Sequence, residues 1–259
     1  MKPMSRRTFI SKSGTITASG MLLHPLNLST RYPMKKNHFD VIIVGGSYAG
    51  LSAAMALGRA LKKVLIIDSG KPCNRQTPYS HNFLTQDGVP PHEIAQLGKS
   101  QVAQYPTVHF FDGLATEGKK IADGFEITVS TEERFTAKKL VFATGIKDIM
   151  PPIEGFSDCW GISILHCPYC HGYEVRGTKT GVFANGEEAF EFAKFLTNWT
   201  QDLTLYTHGK SDLSPEQIQQ LKDLNIEVVD KKIQKVEHEE GYLKQLQFLD
   251  GSTATITAL

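Results

Sequence analysis

The run Phe39-Asp40-Val41-Ile42-Ile43-Val44-Gly45-Gly46-Ser47-Tyr48-Ala49-Gly50 decides the fold. Its first six residues are short, apolar and rich in β-branched side chains, the signature of a buried strand. The glycine-rich turn follows at once, and residues 51–61, rich in Ala and Leu with only Gly58 as a breaker, predict a helix. Val64-Leu65-Ile66-Ile67-Asp68 is a second buried strand that ends in a carboxylate. Strand, glycine turn, helix, strand and acid in that order predict a β-α-β unit that binds a dinucleotide. Gly45 permits the tight turn and Gly50 lets the helix approach the strand. The helix N-terminus turns free N–H groups and the positive end of its dipole toward a pyrophosphate. Asp68 is placed to accept hydrogen bonds from ribose hydroxyls. Ser47 stands where the G-x-G-x-x-G pattern has its middle glycine, so the reading rests on the order of elements. The alternative is a β-α-β unit that binds nothing.

Outward from this unit, residues 69–87 are polar and loop-like, including Lys71-Pro72-Cys73-Asn74-Arg75-Gln76 and Ser80-His81-Asn82-Phe83-Leu84. A helix is expected from about His92 to Tyr105 and a strand over 108–111. Alternation predicts a hairpin from 125–129 and 134–137. A separate buried strand is expected over 139–143, closed by Thr144-Gly145, and Pro151-Pro152 marks a boundary. Further on, strands are predicted at 180–184, 203–206, 225–229, 243–249 and 254–256. Helices are expected over 187–198 and 215–224, the second with Ser214 as N-cap.

Between the two halves lies His166-Cys167-Pro168-Tyr169-Cys170-His171-Gly172-Tyr173-Glu174. Two cysteines flanking two residues have the spacing of a redox-active dithiol, in which the thiolate attacks a disulfide or a flavin. Half of a zinc site is the competing reading, but structural zinc takes four ligands and no second C-x-x-C is present. His166 and His171 lie directly beside the cysteines and could not easily turn onto the same metal, so no metal site is expected. Either histidine is a candidate general base, because imidazole titrates near neutral pH; capping a loop is the equal alternative. Cys73 and Cys159, unpaired in sequence, are expected to be packing residues.

The 259 residues are 41% hydrophobic and 21% charged, a globular composition long enough for one large or two modest domains. With a formal net charge of +1, no nucleic acid or acidic membrane surface is implied as partner. No stretch is apolar enough for long enough to span a bilayer. At the N-terminus Ser5-Arg6-Arg7-Thr8-Phe9-Ile10, with Lys12, resembles a twin-arginine export signal. The mildly apolar residues 15–28, interrupted by His24 and Pro25, fit its hydrophobic region. Residues 1–35 are therefore expected to be a leader and the protein to be exported to the periplasm. A disordered basic leader on a cytoplasmic protein is the alternative, and with no clear A-x-A cleavage site a retained anchor stays open.

Together G-G-S-Y-A-G-L-S-A-A from Gly45, the loop 82–88, Ala143-Thr144-Gly145 after a strand, and the C-x-x-C resemble the low-molecular-weight thioredoxin reductases. Within that group H-C-P-Y-C-H-G-Y-E is most similar to the thioredoxin-reductase-like branch that includes flavin-dependent dithiol oxidases of fungal natural-product pathways. The resemblance runs from about Phe39 to the C-terminus. It implies an α/β fold of two Rossmann-like three-layer domains, the second inserted in the first: an FAD-binding domain over 36–150 and an NAD(P)-binding-like domain over 151–259 carrying the C-x-x-C. It implies FAD on Gly45, Gly46, Ser47, Gly50 and Asp68, with Arg75, Asn82, Asp87, Thr144 and Gly145 in further FAD-contacting segments. It also implies that Cys167 and Cys170 face the flavin in one rotational state, Cys170 nearer the flavin and Cys167 exchanging with a small dithiol or thioredoxin-like protein substrate, in a homodimer.

Three departures from the family pattern bear on the reaction. The phosphate turn of the second unit reads Ala184-Asn185-Gly186-Glu187-Glu188-Ala189, where Ala184 replaces the first glycine and two carboxylates stand at a helix N-terminus. The arginine pair that grips the 2′-phosphate of NADPH is replaced by Thr207-His208-Gly209-Lys210. The returning FAD segment that ends in Gly-Asp does not follow Leu259, so either the FAD sheet is incomplete or the chain is a fragment. These features leave three expectations: a thiol oxidase without obligatory NADPH, an NADPH-dependent disulfide reductase, or a non-catalytic remnant.

Overall fold

Branched side chains buried on both faces build the first sheet. The computed structural model describes residues 37–259; the export-signal reading falls outside them. Strands β1 (His38–Val44), β2 (Val64–Asp68) and β3 (Val108–Asp112) run parallel, and β6 (Arg134–Phe142) pairs with β1 on its other side. β5 (Gly124–Val129) and β4 (Ala115–Ile121) continue antiparallel, giving the order β3-β2-β1-β6-β5-β4. Successive strand residues point to opposite faces. Ile43 and Ile66 therefore pack with Leu51, Ala54 and Val102 of α1 (Tyr48–Arg59) and α2 (Pro91–Val102). Ile42, Leu65 and Ile67 pack with Ile127, Val129, Phe135 and Ala137 on the other side. Each fully buried isoleucine is worth about 1.5–3 kcal/mol of apolar transfer.

The second lobe repeats this plan. After two short helices, α3 (Phe156–Cys159) and α4 (Pro168–His171), the strands β7 (Thr180–Phe183), β8 (Leu203–Tyr206) and β9 (Glu227–Val229) form a parallel sheet. Helices α5 (Gly186–Leu196) and α6 (Pro215–Asp223) cover one face through Ala189, Phe190, Ala193 and Leu221 against Val182, Leu203 and Leu205. The antiparallel β10 (Ile233–Glu239), β11 (Tyr242–Phe248) and β12 (Thr253–Thr255) join Tyr206 of β8, Ile153, Phe156 and Ile164 in a second core. Ser163 ties this connection to the sheet: its hydroxyl donates to the Gly241 carbonyl at 2.7 Å and accepts from the Leu243 N–H at 2.9 Å. Residues 257–259 run beside β7, where the Gly181 N–H donates to the Ala258 carbonyl at 2.8 Å.

The structure corrects several sequence expectations. Residues 134–142 are one strand, not a hairpin arm followed by a separate strand: Phe125 and Phe39 both pair opposite Ala137, so β6 serves two neighbours at once. β4 and β10 were not anticipated. β4 has no buried residue and is held by its ladder with β5. β10 carries two register shifts that break its alternation. Cys159 is fully buried in the second core, but Cys73 is exposed and packs in no core, which overturns the packing role expected for it. Among the described residues, no helix is long and apolar enough to cross a membrane.

Candidate redox and cofactor site

The glycine turn between β1 and α1 is built without room for side chains. Gly45 has φ +106°, and a Cβ there would stand 2.1 Å from the Ala143 carbonyl oxygen. A Cβ on Gly50 would lie within van der Waals overlap of the Gly45 carbonyl oxygen. The Gly46 N–H donates to Asp68 Oδ1 at 3.1 Å, which brings the acid at the end of β2 to the turn. Ser47 is the N-cap of α1 with no side-chain cap bond, which leaves its hydroxyl and the first N–H groups of the helix free for a ligand. Thr144 follows β6 directly beside Gly45, whose Cβ would come 3.2 Å from the Thr144 nitrogen; Gly145 follows with φ +67°. Gly45, Gly46, Ser47, Gly50, Asp68, Thr144 and Gly145 therefore come together at one end of the first sheet. This cradle fits the adenosine diphosphate part of FAD: a strained turn, a helix N-terminus and a carboxylate that a Cβ at either glycine would disrupt.

The loop 80–88 reaches this cradle and the cysteines together. An antiparallel bridge between Ser80 and Val89 closes it, and the Asn82 N–H donates to Asp87 Oδ1 at 2.8 Å. Asn82 has φ +56°, a left-handed conformation that asparagine accepts more readily than most residues. Phe83 meets Tyr48 of α1 edge to face at 5.9 Å. Arg75 is exposed, and its guanidinium donates to the Pro72 carbonyl at 3.2 Å; no described contact brings it to the glycine turn.

Cys167 and Cys170 are joined in a disulfide with Cα atoms 5.3 Å apart. Pro168 at the first position of α4 pre-sets the turn between them, and the N–H groups of Cys170 and His171 both donate to the Cys167 carbonyl. Cys167 lines an apolar cavity of about 410 Å³ with Trp160, Phe183, Phe192 and Trp199, and Cys170 does not. His166 stacks on Trp160 at 5.6 Å, whose indole N–H donates to Asp148 at 3.1 Å. His171 faces His81 edge-on at 6.2 Å. Burial, then the charge of His81, pushes the His171 imidazole below its ordinary value of 6.5, so at neutral pH it is uncharged and able to accept a proton. His81 was read in the sequence only as part of a loop.

The turn of the second lobe is already occupied by its own side chains. Asn185 caps α5 by accepting from the Gly186 N–H at 2.9 Å and also accepts from the Asp212 N–H at 3.0 Å. Its amide donates to the Lys210 carbonyl at 3.1 Å and to an Asp212 carboxylate oxygen at 3.0 Å. With Glu187 and Glu188 in the first turn, three carboxylates surround this helix N-terminus.

Residues 39–258 match the family model described as pyridine nucleotide-disulphide oxidoreductase. The chain belongs to that family. Among curated relatives it is 36% identical to the thioredoxin reductase tcpT of Claviceps purpurea over 188 residues, 70% of this chain and 59% of that protein. It is 32% identical to the thioredoxin reductase aclD of Aspergillus oryzae over 225 residues, 83% of this chain and 71% of that protein. The chain thus spans between about six and seven tenths of these two relatives. Among solved structures it resembles a putative thioredoxin reductase TrxB of Bacillus anthracis, with a TM-score of 0.82 at 32% identity over 85% of this chain and 74% of that one. An oxidoreductase of Agrobacterium tumefaciens gives a TM-score of 0.79 at 37% identity over 86% and 74%. The two α/β lobes agree with the fold read from the sequence, and the resemblance to thioredoxin reductases agrees with these relatives.

Proposed function

We propose that this protein is a FAD-dependent thiol–disulfide oxidoreductase that oxidises a dithiol through Cys167 and Cys170. The observation that carries this reading is the formed Cys167–Cys170 disulfide beside loop 80–88, which also touches the glycine turn through Phe83 and Tyr48. FAD, if bound there, would supply the two-electron chemistry that reoxidises the cysteine dithiol at the expense of an acceptor such as oxygen. Gly45, Gly46, Ser47, Gly50 and Asp68 would hold its adenosine diphosphate, with Thr144, Gly145, Asn82 and Asp87 around the rest.

The protein's own residues run the exchange. A substrate thiolate attacks Cys167 Sγ, the Cys167–Cys170 bond breaks, and Cys170 leaves as a thiolate. The second substrate thiolate then attacks the substrate sulfur of the mixed disulfide, releasing an oxidised substrate and the Cys167 thiolate. Two electrons have then passed from substrate to the cysteine pair, and the two thiol protons have gone to bases and solvent. Neutral His171 is suited to take a thiol proton, and the cavity at Cys167 favours it as the exchanging sulfur. Oxidation rather than NADPH-driven reduction is favoured by the Asn185–Asp212 bracing and by the carboxylates around that turn. A thioredoxin-like protein is the other candidate dithiol. Export through the twin-arginine-like leader would agree with this route, because NADPH is not expected outside the cytoplasm.

A second reading, an NADPH-dependent thioredoxin reductase, draws on Gly186: it keeps a positive φ of +73° with open space around it, as a phosphate turn would. The relatives named thioredoxin reductases favour the same reading.

The division of labour between the sulfurs is tested by giving Cys170→Ser and Cys167→Ser variants cystine and mapping adducts by mass. Cys170→Ser should take a mixed disulfide on Cys167 about tenfold faster or more than Cys167→Ser takes one on Cys170. Equal rates, or no adduct on Cys167, would overturn the assignment.

A further inference from the structure

His81 lies between the two halves of the site, and the reaction above does not use it. Its Nδ1 is 3.7 Å from Asp87 Oδ1, within loop 80–88, and its Nε2 is 3.6 Å from Glu174 Oε1, just beyond the cysteine turn. The Asp87 carboxylate is held locally by the Asn82 N–H, and the Glu174 backbone is held to the cysteine turn by its N–H, which donates to the His171 carbonyl at 3.1 Å. The His81 side chain is only 21% exposed. The groups facing it are Asp87 on its own loop, and Glu174 and His171 from the cysteine segment, with His166 beyond His171.

We propose that His81 is a positioning residue that clamps the Cys167–Cys170 turn to the cofactor-side loop by pairing, as the imidazolium, with Asp87 and Glu174 at once. Both separations exceed hydrogen-bond reach, so the attraction is between charges and is lost when the ring is neutral. A neutral ring also has one N–H donor only and leaves a lone pair facing a carboxylate. The clamp joins the segment that carries the cysteines to the loop that reaches the cofactor cradle. The two histidines then divide the work. His81 serves to hold, and its imidazolium, when formed, also disfavours protonation of His171.

This inference rests on the reading of the cysteine pair as the redox centre, but its test does not depend on turnover. Amide hydrogen exchange of the oxidised full chain, corrected for intrinsic rates, is read at about pH 6 and about pH 8, on either side of the imidazole range. Peptides covering 80–88 and 168–176 should lose protection together, by about threefold to tenfold, as the pH rises, in keeping with the modest strength of a pair of this kind. His81→Gln should give the loose value at both pH values, and His81→Arg, which keeps its charge, the protected value at both. Glu174→Gln should loosen 168–176 at the lower pH. Wild-type-like protection in His81→Gln at pH about 6, or no recovery in His81→Arg, would overturn the clamp. Failure of the dithiol reading itself appears separately, as the missing adduct on Cys167.

Discussion

At the residue scale, the site depends on charges and close contacts between positions far apart in sequence. His171 is the clearest case. Burial first, and His81 second, disfavour its protonated form. Its folded value is depressed below 6.5, so the unfolded chain binds more protons as the pH falls through that value. The stabilising contribution is therefore complete above the unfolded value and is lost as the pH drops through the folded one. An NMR titration should place the His171 midpoint below 6.5, and His81→Gln should move it upward. A wild-type midpoint at or above 6.5 would contradict this account of its environment. The sequence showed His171 as a candidate base because it adjoins Cys170. It could not show His81, whose partner Glu174 reaches it only through the fold.

At the scale of elements, the glycine turn carries the cofactor argument. Replacing Gly45 with Ala would force a Cβ toward the Ala143 carbonyl at 2.1 Å and strain a φ of +106°. The conformational cost alone is about 1–3 kcal/mol, before the clash is relieved by opening the turn from β6. Gly45→Ala should lower the melting temperature and the ratio of flavin to protein together; a purified variant matching wild type in both would contradict the cradle. This turn was legible because β1, α1 and β2 are driven by their own apolar patterns. The capping of α6 was legible too, since Ser214 and Gln217 form a reciprocal capping box that their spacing favours. β4 escaped because its residues are almost all exposed, so no hydrophobic period marks it. In β10 the buried Ile233 and Val236 are three apart, out of step with a two-residue repeat.

At the scale of the whole molecule, two lobes of the same plan meet different demands. In the first, the turn keeps an uncapped helix N-terminus with the Asp68 carboxylate bonded beside it. In the second, Asn185 spends the cap and brings Asp212 to the turn, while Glu187 and Glu188 add charge of the wrong sign for phosphate. The sequence already pointed to this contrast through Ala184 and the lost arginine pair. It did not show that Asn185 braces the turn to residues 210–212, a contact made across a β-α-β crossover. The two lobes together make the source of electrons the central question. Anaerobic titration of the purified flavin-loaded protein answers it most directly, with a small dithiol in one cell and NADPH in another while the flavin absorption band is followed. Our account predicts bleaching by the dithiol and none by NADPH. Prompt bleaching by NADPH, in a sample that the dithiol leaves yellow, would contradict it.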